Sequence, residues 1–118
     1  MRLSILIPTH NRPKLFERCL YSVLRQLPSW AEIVVNNDSH DIEEILHPQV
    51  KYHYNKYNNI SANYKFLLEA SVGEYVYYLE DDDYLTDDFF NKFELAADLI
   101  VGNYCPMYDT PNKLQQLK

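Results

Sequence analysis

Short apolar runs alternate with amphipathic segments along most of this chain. Apolar or β-prone runs at 3–7, 32–35, 50–54 and 75–79 predict four strands, and residues 99–101 predict a further short one. The first two runs lack the polar alternation of a half-exposed strand, which is typical of parallel strands covered on both faces.

Helical spacing of apolar residues predicts two helices between these strands. The first spans 13–27, with Pro13 at its first position and its cap at residue 11 or 12. The second runs from 62 to about 72, with Ser61 as N-cap. Ile60 is expected to pack on this helix as a hydrophobic staple, and Gly73 to end it.

Two weaker helical signals follow the second and fourth strands. Residues 41–46 suggest a short helix. Thr86 is a plausible N-cap for a helix running to about residue 97, with Asp87 and Asp88 in a first turn where the helix dipole favours acids. The tail from residue 113 is polar and weakly patterned.

This alternation predicts one three-layer α/β domain, with a mostly parallel, Rossmann-like sheet. A chain of 118 residues has room for a single core. Ligands of such sheets bind at the carboxyl ends of the strands. Polar clusters follow three of the predicted strands, at residues 9–11, 36–39 and 80–83, so we expect all three at one edge of the sheet.

The cluster at 80–83 is the strongest chemical signal. Four consecutive acids repel one another, and a divalent cation with oxygen ligands is the usual counter-charge at a folded strand end. The alternative at this point is a solvated acidic turn, because charge runs most often face water.

Composition narrows the class of partner. The net charge is −6, and residues 80–98 hold eight of the 17 acids against one base, Lys92. Such a chain lacks the basic face that a nucleic acid needs, and it suits a cation that bridges to an anionic ligand. Cys19 and Cys105 show no metal spacing, and Cys19 is expected to be reduced and buried. With no signal peptide and no run of about 20 apolar residues, a cytoplasmic protein is expected.

Four segments together resemble the glycosyltransferases of family two, which have the GT-A fold. Residues 3–12 resemble the family's opening strand and loop, and 32–39 its second strand and nucleoside-facing turn. Residues 58–65, followed by 70–75, are similar to the helix before the metal strand, and 78–84 to the acidic metal motif called DXD. Their order and spacing extend the resemblance over residues 3–101.

The resemblance implies an inverting, metal-dependent transfer of sugar from a nucleotide-diphosphate sugar, with a UDP-sugar as first guess, to a hydroxyl of a glycan, lipid-linked or other acceptor. Mn²⁺ or Mg²⁺ is the implied cofactor. The metal ligands it implies are Glu80, Asp82 and Asp83, with Asp82 the foremost. The nucleotide-sugar-binding residues it implies are Pro8, Thr9, His10, Asn36, Asn37, Asp38, Asn63, Lys65 and Asp81. His10 takes a position at which an aromatic ring often stacks on the base.

Two departures from the family pattern matter. Asn36 and Asn37 stand where the family usually has a base-reading Asp, which leaves the choice of nucleotide open, since an amide both donates and accepts. The family's transferases are also longer, and their second half supplies the acceptor site and the general base. Residues 102–118 would then be an extension that lacks this half. Asp109 is the one late acid that could act as base, and the base stays unassigned.

Two other functions compete with transfer. A phosphoacceptor receiver module shares the length and the acidic pocket, but it needs acids directly after the first strand and a lone Asp after the third, and the chain has neither. A donor-binding fragment or subunit that does not catalyse transfer alone stays open, as does an oligomer. His40, His47 and His53 lack ligand spacing and are expected in loops or at the surface.

Overall fold

The computed structural model describes residues 1–57, 59–92 and 95, together with the backbone of 107–110 and 113–116. Its elements are strand β1 (Leu3–Thr9), helix α1 (Pro13–Leu24), strands β2 (Ala31–Asn37) and β3 (Val50–Tyr54), helix α2 (Ile60–Ala70), strand β4 (Tyr75–Tyr78), a 3₁₀ turn (Phe89–Asn91) and strands β5 (Met107–Thr110) and β6 (Lys113–Gln116). The predicted strand at 99–101 and Cys105 lie outside the described residues.

The first four strands form one parallel sheet in the order β3-β2-β1-β4. This confirms the predicted α/β class. Strand β1 lies in the middle, so the chain reverses its direction of winding between β3 and β4, and the carboxyl ends of all four strands share one edge. Strands β5 and β6 pair separately as an antiparallel hairpin, which the weak pattern of the tail did not predict.

Both faces of the sheet are covered. On one face Ile5 and Ile33 pack with Phe16 and Leu20 of α1. On the other, Leu6 and Val34 pack against Leu67 of α2. Neighbouring strand residues point to opposite faces, so the unbroken apolar runs serve two layers at once. Burying each Leu or Ile side chain contributes roughly 1.5–3 kcal/mol.

Helix α2 begins and ends earlier than the sequence predicted. Asn59, not Ser61, is its N-cap, and its side chain accepts a 2.8 Å hydrogen bond from the Ala62 amide. Ile60 is therefore the first helical residue, and it is 59% exposed rather than packed as a staple. Asparagine and serine cap about equally well, so the pattern alone could not choose between them.

Gly73 does not end that helix. The last helical residue is Ala70, and Gly73 has no positive φ. A Cβ at Gly73 would lie 2.7 Å from the Ser4 amide nitrogen and 2.8 Å from the Leu3 carbonyl carbon. Glycine is required here because the chain passes directly against strand β1.

The helix predicted at 41–46 is absent, since those residues are irregular. The Ile45 amide donates to the Tyr52 hydroxyl at 2.9 Å, and that hydroxyl donates back to the Ile45 carbonyl at 3.2 Å. Both backbone groups are thereby satisfied without helical hydrogen bonds.

The segment after the acidic loop also differs from its prediction. Residues 86–88 are not helical, and a 3₁₀ turn at Phe89–Asn91 is the helical element among residues 86–92. The Thr86 hydroxyl donates to the Asp88 carboxylate instead of capping a helix. Phe90 packs edge-on against Trp30 at 5.9 Å. Residues 93–94 and 96–97 lie outside the described residues.

Two smaller predictions concern α1 and its cysteine. The helix ends at Leu24, and a turn carries the chain to Leu27. Cys19 is free and fully buried on α1, as expected, and burial together with the nearby acids raises the pKa of its thiol.

Over the part of the chain that the structure describes, no helix is long and apolar enough to cross a membrane.

Candidate functional site

The three predicted polar clusters meet at the carboxyl edge of the sheet. The Asp38 amide donates to the Thr9 carbonyl at 3.3 Å, and the Asn11 amide to the Ser39 hydroxyl at 3.0 Å. The Thr9 hydroxyl donates to Asp81 across 72 residues of sequence at 2.9 Å. These contacts join the ends of β1, β2 and β4 into one surface.

That surface borders an open cavity of about 410 Å³. Its size falls within the range of small-molecule sites. Seven of the residues predicted for the site line it: Pro8, Thr9, His10, Asp38, Asn63, Glu80 and Asp81. Four further lining residues were not predicted: Arg12, Tyr57, Asn59 and Ile60.

Strand β4 delivers the acids through a tight turn. The Leu79 amide still pairs with Leu6 of β1, and the Asp83 amide then folds back to the Glu80 carbonyl at 3.0 Å. The turn points Glu80, Asp82 and Asp83 outward, with one carboxylate oxygen of each lying within 4.8 Å of the others. It turns Asp81 inward, where 6% of the residue is exposed.

This donor set fits a hard divalent cation. Three exposed carboxylates converge, and Mg²⁺ and Mn²⁺ favour carboxylate oxygens. Partial burial and the charges of Asp82 and Asp81 raise the pKa of Asp83, and Arg18 offsets part of that rise. The ionised form of Asp83 is therefore disfavoured, and a bound cation would offset the repulsion from its neighbours.

Arg12 is the main functional candidate that sequence reasoning missed. One of its guanidinium nitrogens, Nη1, lies 3.3 Å from Asp81 Oδ1 and 3.4 Å from Asp82 Oδ2. The residue occupies the N-cap position of α1, but its side chain makes no capping bond and turns to the acids instead. The only signal in the sequence was a cation directly after a polar strand end.

A second arginine, on helix α1, contacts the backbone of the acidic loop. Arg18 on α1 donates to the Asp82 carbonyl at 2.9 Å, and its guanidinium lies 4.8 Å from the centre of the Tyr84 ring. The Cys19 thiol contacts the Glu80 carbonyl at 3.5 Å. Helix α1 thus fixes the backbone on which the acids stand.

His10 and Asp38 both line the cavity and form a close pair through Nδ1 of the ring and Oδ1 of the carboxylate. The His10 side chain is 63% exposed, whereas that of Asp38 is 16% exposed. The ring is open to a planar ligand, and its stacking on a base stays a prediction.

Asn36 and Asn37 are both fully buried and do not line the cavity. Asn36 donates to the Asn63 side chain at 3.0 Å, and Asn55 donates to Asn36 at 3.1 Å. Asn37 donates to Asp41 at 3.1 Å and accepts from the Ser39 amide at 2.9 Å. Both amides hold the loops together, and Asp38 is the polar side chain of this turn that reaches the cavity.

The remaining candidates lie elsewhere. Lys65 is exposed on α2, where it lines a smaller depression with Tyr57 and Phe66. The three other histidines make separate contacts: His40 stacks on Tyr54, His47 accepts from the Gln49 amide and His53 packs edge-on against Phe66. Asp87 and Asp88 pair with Arg25 and Lys92, and the backbone of Asp109 lies in β5.

The sequence model of glycosyl transferase family 2 matches residues 4–102. The chain belongs to this family. Its relatives include the glycosyltransferase GlyA of Streptococcus pneumoniae, 26% identical over 87% of this chain and 17% of GlyA. The poly(ribitol-phosphate) beta-N-acetylglucosaminyltransferase TarP of Staphylococcus aureus is 29% identical over 87% of this chain and 36% of TarP.

Solved structures agree on the fold of this family 2 chain. S. aureus TarS residues 1–349 superimpose with a TM-score of 0.61 at 21% identity, covering 77% of this chain and 30% of that TarS fragment. The complexes of that protein with UDP-GlcNAc and with UDP give the same TM-score. The chain spans only 15% to 43% of the lengths of its curated relatives.

Proposed function

We propose that this chain forms the nucleotide-sugar-binding part of a metal-dependent glycosyltransferase, which moves a sugar from a nucleotide-diphosphate sugar to an acceptor hydroxyl. The observation that carries the proposal is the convergence of Glu80, Asp82 and Asp83 beside the 410 Å³ cavity. Family membership and the TarS complexes with UDP-GlcNAc and UDP support a UDP-sugar as the donor.

The cation would be Mn²⁺ or Mg²⁺, held by Asp82 with Glu80 and Asp83. When bound, it supplies Lewis-acid neutralisation of the charge that develops on the departing nucleoside diphosphate, with an effect of several kcal/mol. The residues around the acids keep this loop in place. The Thr9 hydroxyl holds Asp81, and Arg18 holds the Asp82 carbonyl, so the carboxylates are arranged before the donor arrives.

The nucleoside would lie between β1 and β2, on the side of the cavity formed by Pro8, Thr9, His10 and Asp38. The His10 ring would stack on the base, with Asp38 fixing its orientation. The Asp38 carboxylate is an acceptor and would favour a base that presents an N–H group, as uracil does. Asn36 and Asn37 support this wall through Asn63 and Asp41, and Asn63 also lines the cavity.

In the transfer step, the acceptor hydroxyl would attack the anomeric carbon from the face opposite the leaving diphosphate, inverting its configuration. A positioned carboxylate base would add roughly 10²–10⁴-fold to the rate. Among the described residues, the carboxylates that line the cavity already have other roles: Asp38 pairs with His10, Asp81 with Thr9 and Arg12, and Glu80 belongs to the acidic cluster. We therefore assign no base.

The second candidate is a donor-binding module that needs further sequence for transfer. The observation in its favour is that the carboxylates described at the cavity already have other roles, which leaves the general base unassigned. Release of free sugar from UDP-sugar, compared with transfer to added acceptors, separates the two functions, because a module without a base would hydrolyse its donor slowly and glycosylate nothing.

Titration calorimetry with UDP tests the binding function. We expect measurable affinity with Mn²⁺ and a large loss in EDTA. Asp82→Asn should weaken binding strongly. Asp87→Asn is the matched control, because Asp87 is exposed and pairs only with Arg25 at 3.7 Å among the contacts described. Equal affinity in Mn²⁺ and EDTA would refute the metal site.

A further inference from the structure

Arg12 stands between the cavity and the acidic cluster. Its guanidinium contacts Asp81, which belongs to the cavity wall, and Asp82, which belongs to the proposed metal set. Its side chain is half exposed and faces the open cavity. The contact to Asp82 therefore occupies a carboxylate that a cation would also need.

The charges around the cavity indicate a further role for Arg12. Arg12 is the only permanently charged cation among the described residues that line it, beside the carboxylates of Asp38, Glu80 and Asp81. A dianionic diphosphate would meet a negative surface here unless a cationic group faced it. Arg18 is engaged with the Asp82 carbonyl and Tyr84, and Lys65 lines a different depression.

We propose that Arg12 is the diphosphate-binding side chain of the donor site. Without a divalent cation it pairs with Asp82, and a cation bound by Asp82 would release it to contact the diphosphate. This inference rests on the proposed function. When Asp82 turns to a cation, the guanidinium loses one of its two acid partners. A guanidinium presents a planar fork of N–H donors, which matches phosphate oxygens, so Arg12 can move to the diphosphate with its charge unchanged.

This arrangement couples the two ligands in a way that a purely structural arginine would not. Arg12 competes with the cation for Asp82, so removing it should tighten Mn²⁺ binding in the absence of nucleotide. Arg12 also supplies contacts to the diphosphate, so its removal should weaken nucleotide binding in the presence of Mn²⁺. The two effects have opposite signs.

The experiment measures Mn²⁺ affinity by electron paramagnetic resonance without nucleotide, and UDP affinity by calorimetry at saturating Mn²⁺. For Arg12→Gln we expect Mn²⁺ to bind a few-fold more tightly and UDP about 10- to 100-fold more weakly, the range for lost hydrogen bonds to a charged group. Arg12→Lys keeps the charge without the fork, so its Mn²⁺ affinity should stay near wild type while UDP binding is only partly restored. Uridine, which has no phosphate, should bind Arg12→Gln and wild type equally.

Arg25→Gln is the matched control, since Arg25 also ends an exposed ion pair but lies outside the cavity. Circular dichroism should show all variants folded, because the Arg12 side chain makes no capping bond. If Arg12→Gln weakens the binding of Mn²⁺ and of UDP together, this proposal is wrong. It is also wrong if the variant binds both ligands as wild type does. In either case the proposed donor site itself is not refuted. A wild-type chain that binds neither ligand would instead refute the proposed function.

Discussion

The Thr9 hydroxyl donates a 2.9 Å hydrogen bond to the buried carboxylate of Asp81. Thr9 ends β1 and Asp81 lies in the acidic turn after β4, so this bond joins two strand ends that are neighbours in the sheet and distant in sequence. It also explains why one acid of four turns inward while the other three stay available at the surface.

Replacing Thr9 with Val tests that bond. The shape is nearly unchanged, but Asp81 loses a donor while remaining buried, so we expect a loss of about 1–3 kcal/mol in the free energy of unfolding. Urea denaturation measures it. Thr86→Val is the control, because its hydroxyl donates to the exposed Asp88, and a change below about 0.5 kcal/mol is expected there. Equal losses would mean that the Thr9 bond has no special role.

Acid sensitivity should depend on Glu32. This carboxylate is 1% exposed on β2, it accepts hydrogen bonds from the Ser4 hydroxyl and the Val72 amide, and the Lys51 ammonium lies 2.9 Å away. Burial opposes its ionisation, but these partners outweigh burial, and the pKa of Glu32 is lowered from its ordinary value of 4.5. Because the folded state holds the carboxylate ionised, its contribution to stability is present above pH 4.5 and is lost as the pH falls through the lowered pKa.

Glu32→Gln should accordingly flatten the acid side of the stability profile. We expect the variant to be less stable than wild type at pH 7 and the difference to shrink towards pH 3. Thermal melts across that range measure it. Glu74→Gln is the control, since Glu74 is exposed and its ion pair with Arg2 spans 3.8 Å. A difference that stays constant with pH would contradict the lowered pKa.

The close passage at Gly73 predicts a steric effect. Gly73→Ala would place a methyl group 2.7 Å from the Ser4 amide nitrogen, so strand β1 or the loop must shift. We expect a loss of about 1–3 kcal/mol in the free energy of unfolding, as for overpacked sites. Val72→Ala, at a neighbouring exposed position, should cost little. A stable Gly73→Ala variant would show that the approach is looser than described.

We expect little transfer activity, because the carboxylates described at the cavity already have other roles. We expect the 118-residue chain to release sugar slowly from UDP-sugar in Mn²⁺ and to transfer little to added acceptors. The Asp109→Asn variant should show the same rates of hydrolysis and transfer. Chromatography of the products distinguishes hydrolysis from transfer. Fast transfer, lost in Asp109→Asn, would identify Asp109 as the base.

Local pattern was enough to predict the sheet edge and the acids. The apolar runs located β1 to β4. The parallel pairing agrees with the helices that connect β1 to β2 and β3 to β4, whereas an irregular segment connects β2 to β3. Glu80, Asp82 and Asp83 converge because they lie in one turn at a strand end, where consecutive residues are forced close together. Such short-range geometry can be predicted from sequence.

The direction of each polar side chain at the end of a strand could not be predicted in this way. Asn36, Asn37 and Asp38 are consecutive polar residues, yet only Asp38 faces the cavity, because the amides find partners in Asn63 and Asp41. Arg12 was missed for a related reason. Its contact with Asp81 spans 69 residues, and in sequence it stands only as a residue before a helical proline.

The location of the metal and nucleotide is the central claim, and anomalous diffraction tests it most directly. Crystals grown with Mn²⁺ and UDP, measured at the manganese absorption edge, should show one strong peak within about 2.5 Å of oxygens of Asp82 and at least one of Glu80 and Asp83. The nucleotide should fill the cavity beside His10 and Asp38. A manganese peak away from these carboxylates, or UDP bound outside the cavity, would contradict the account.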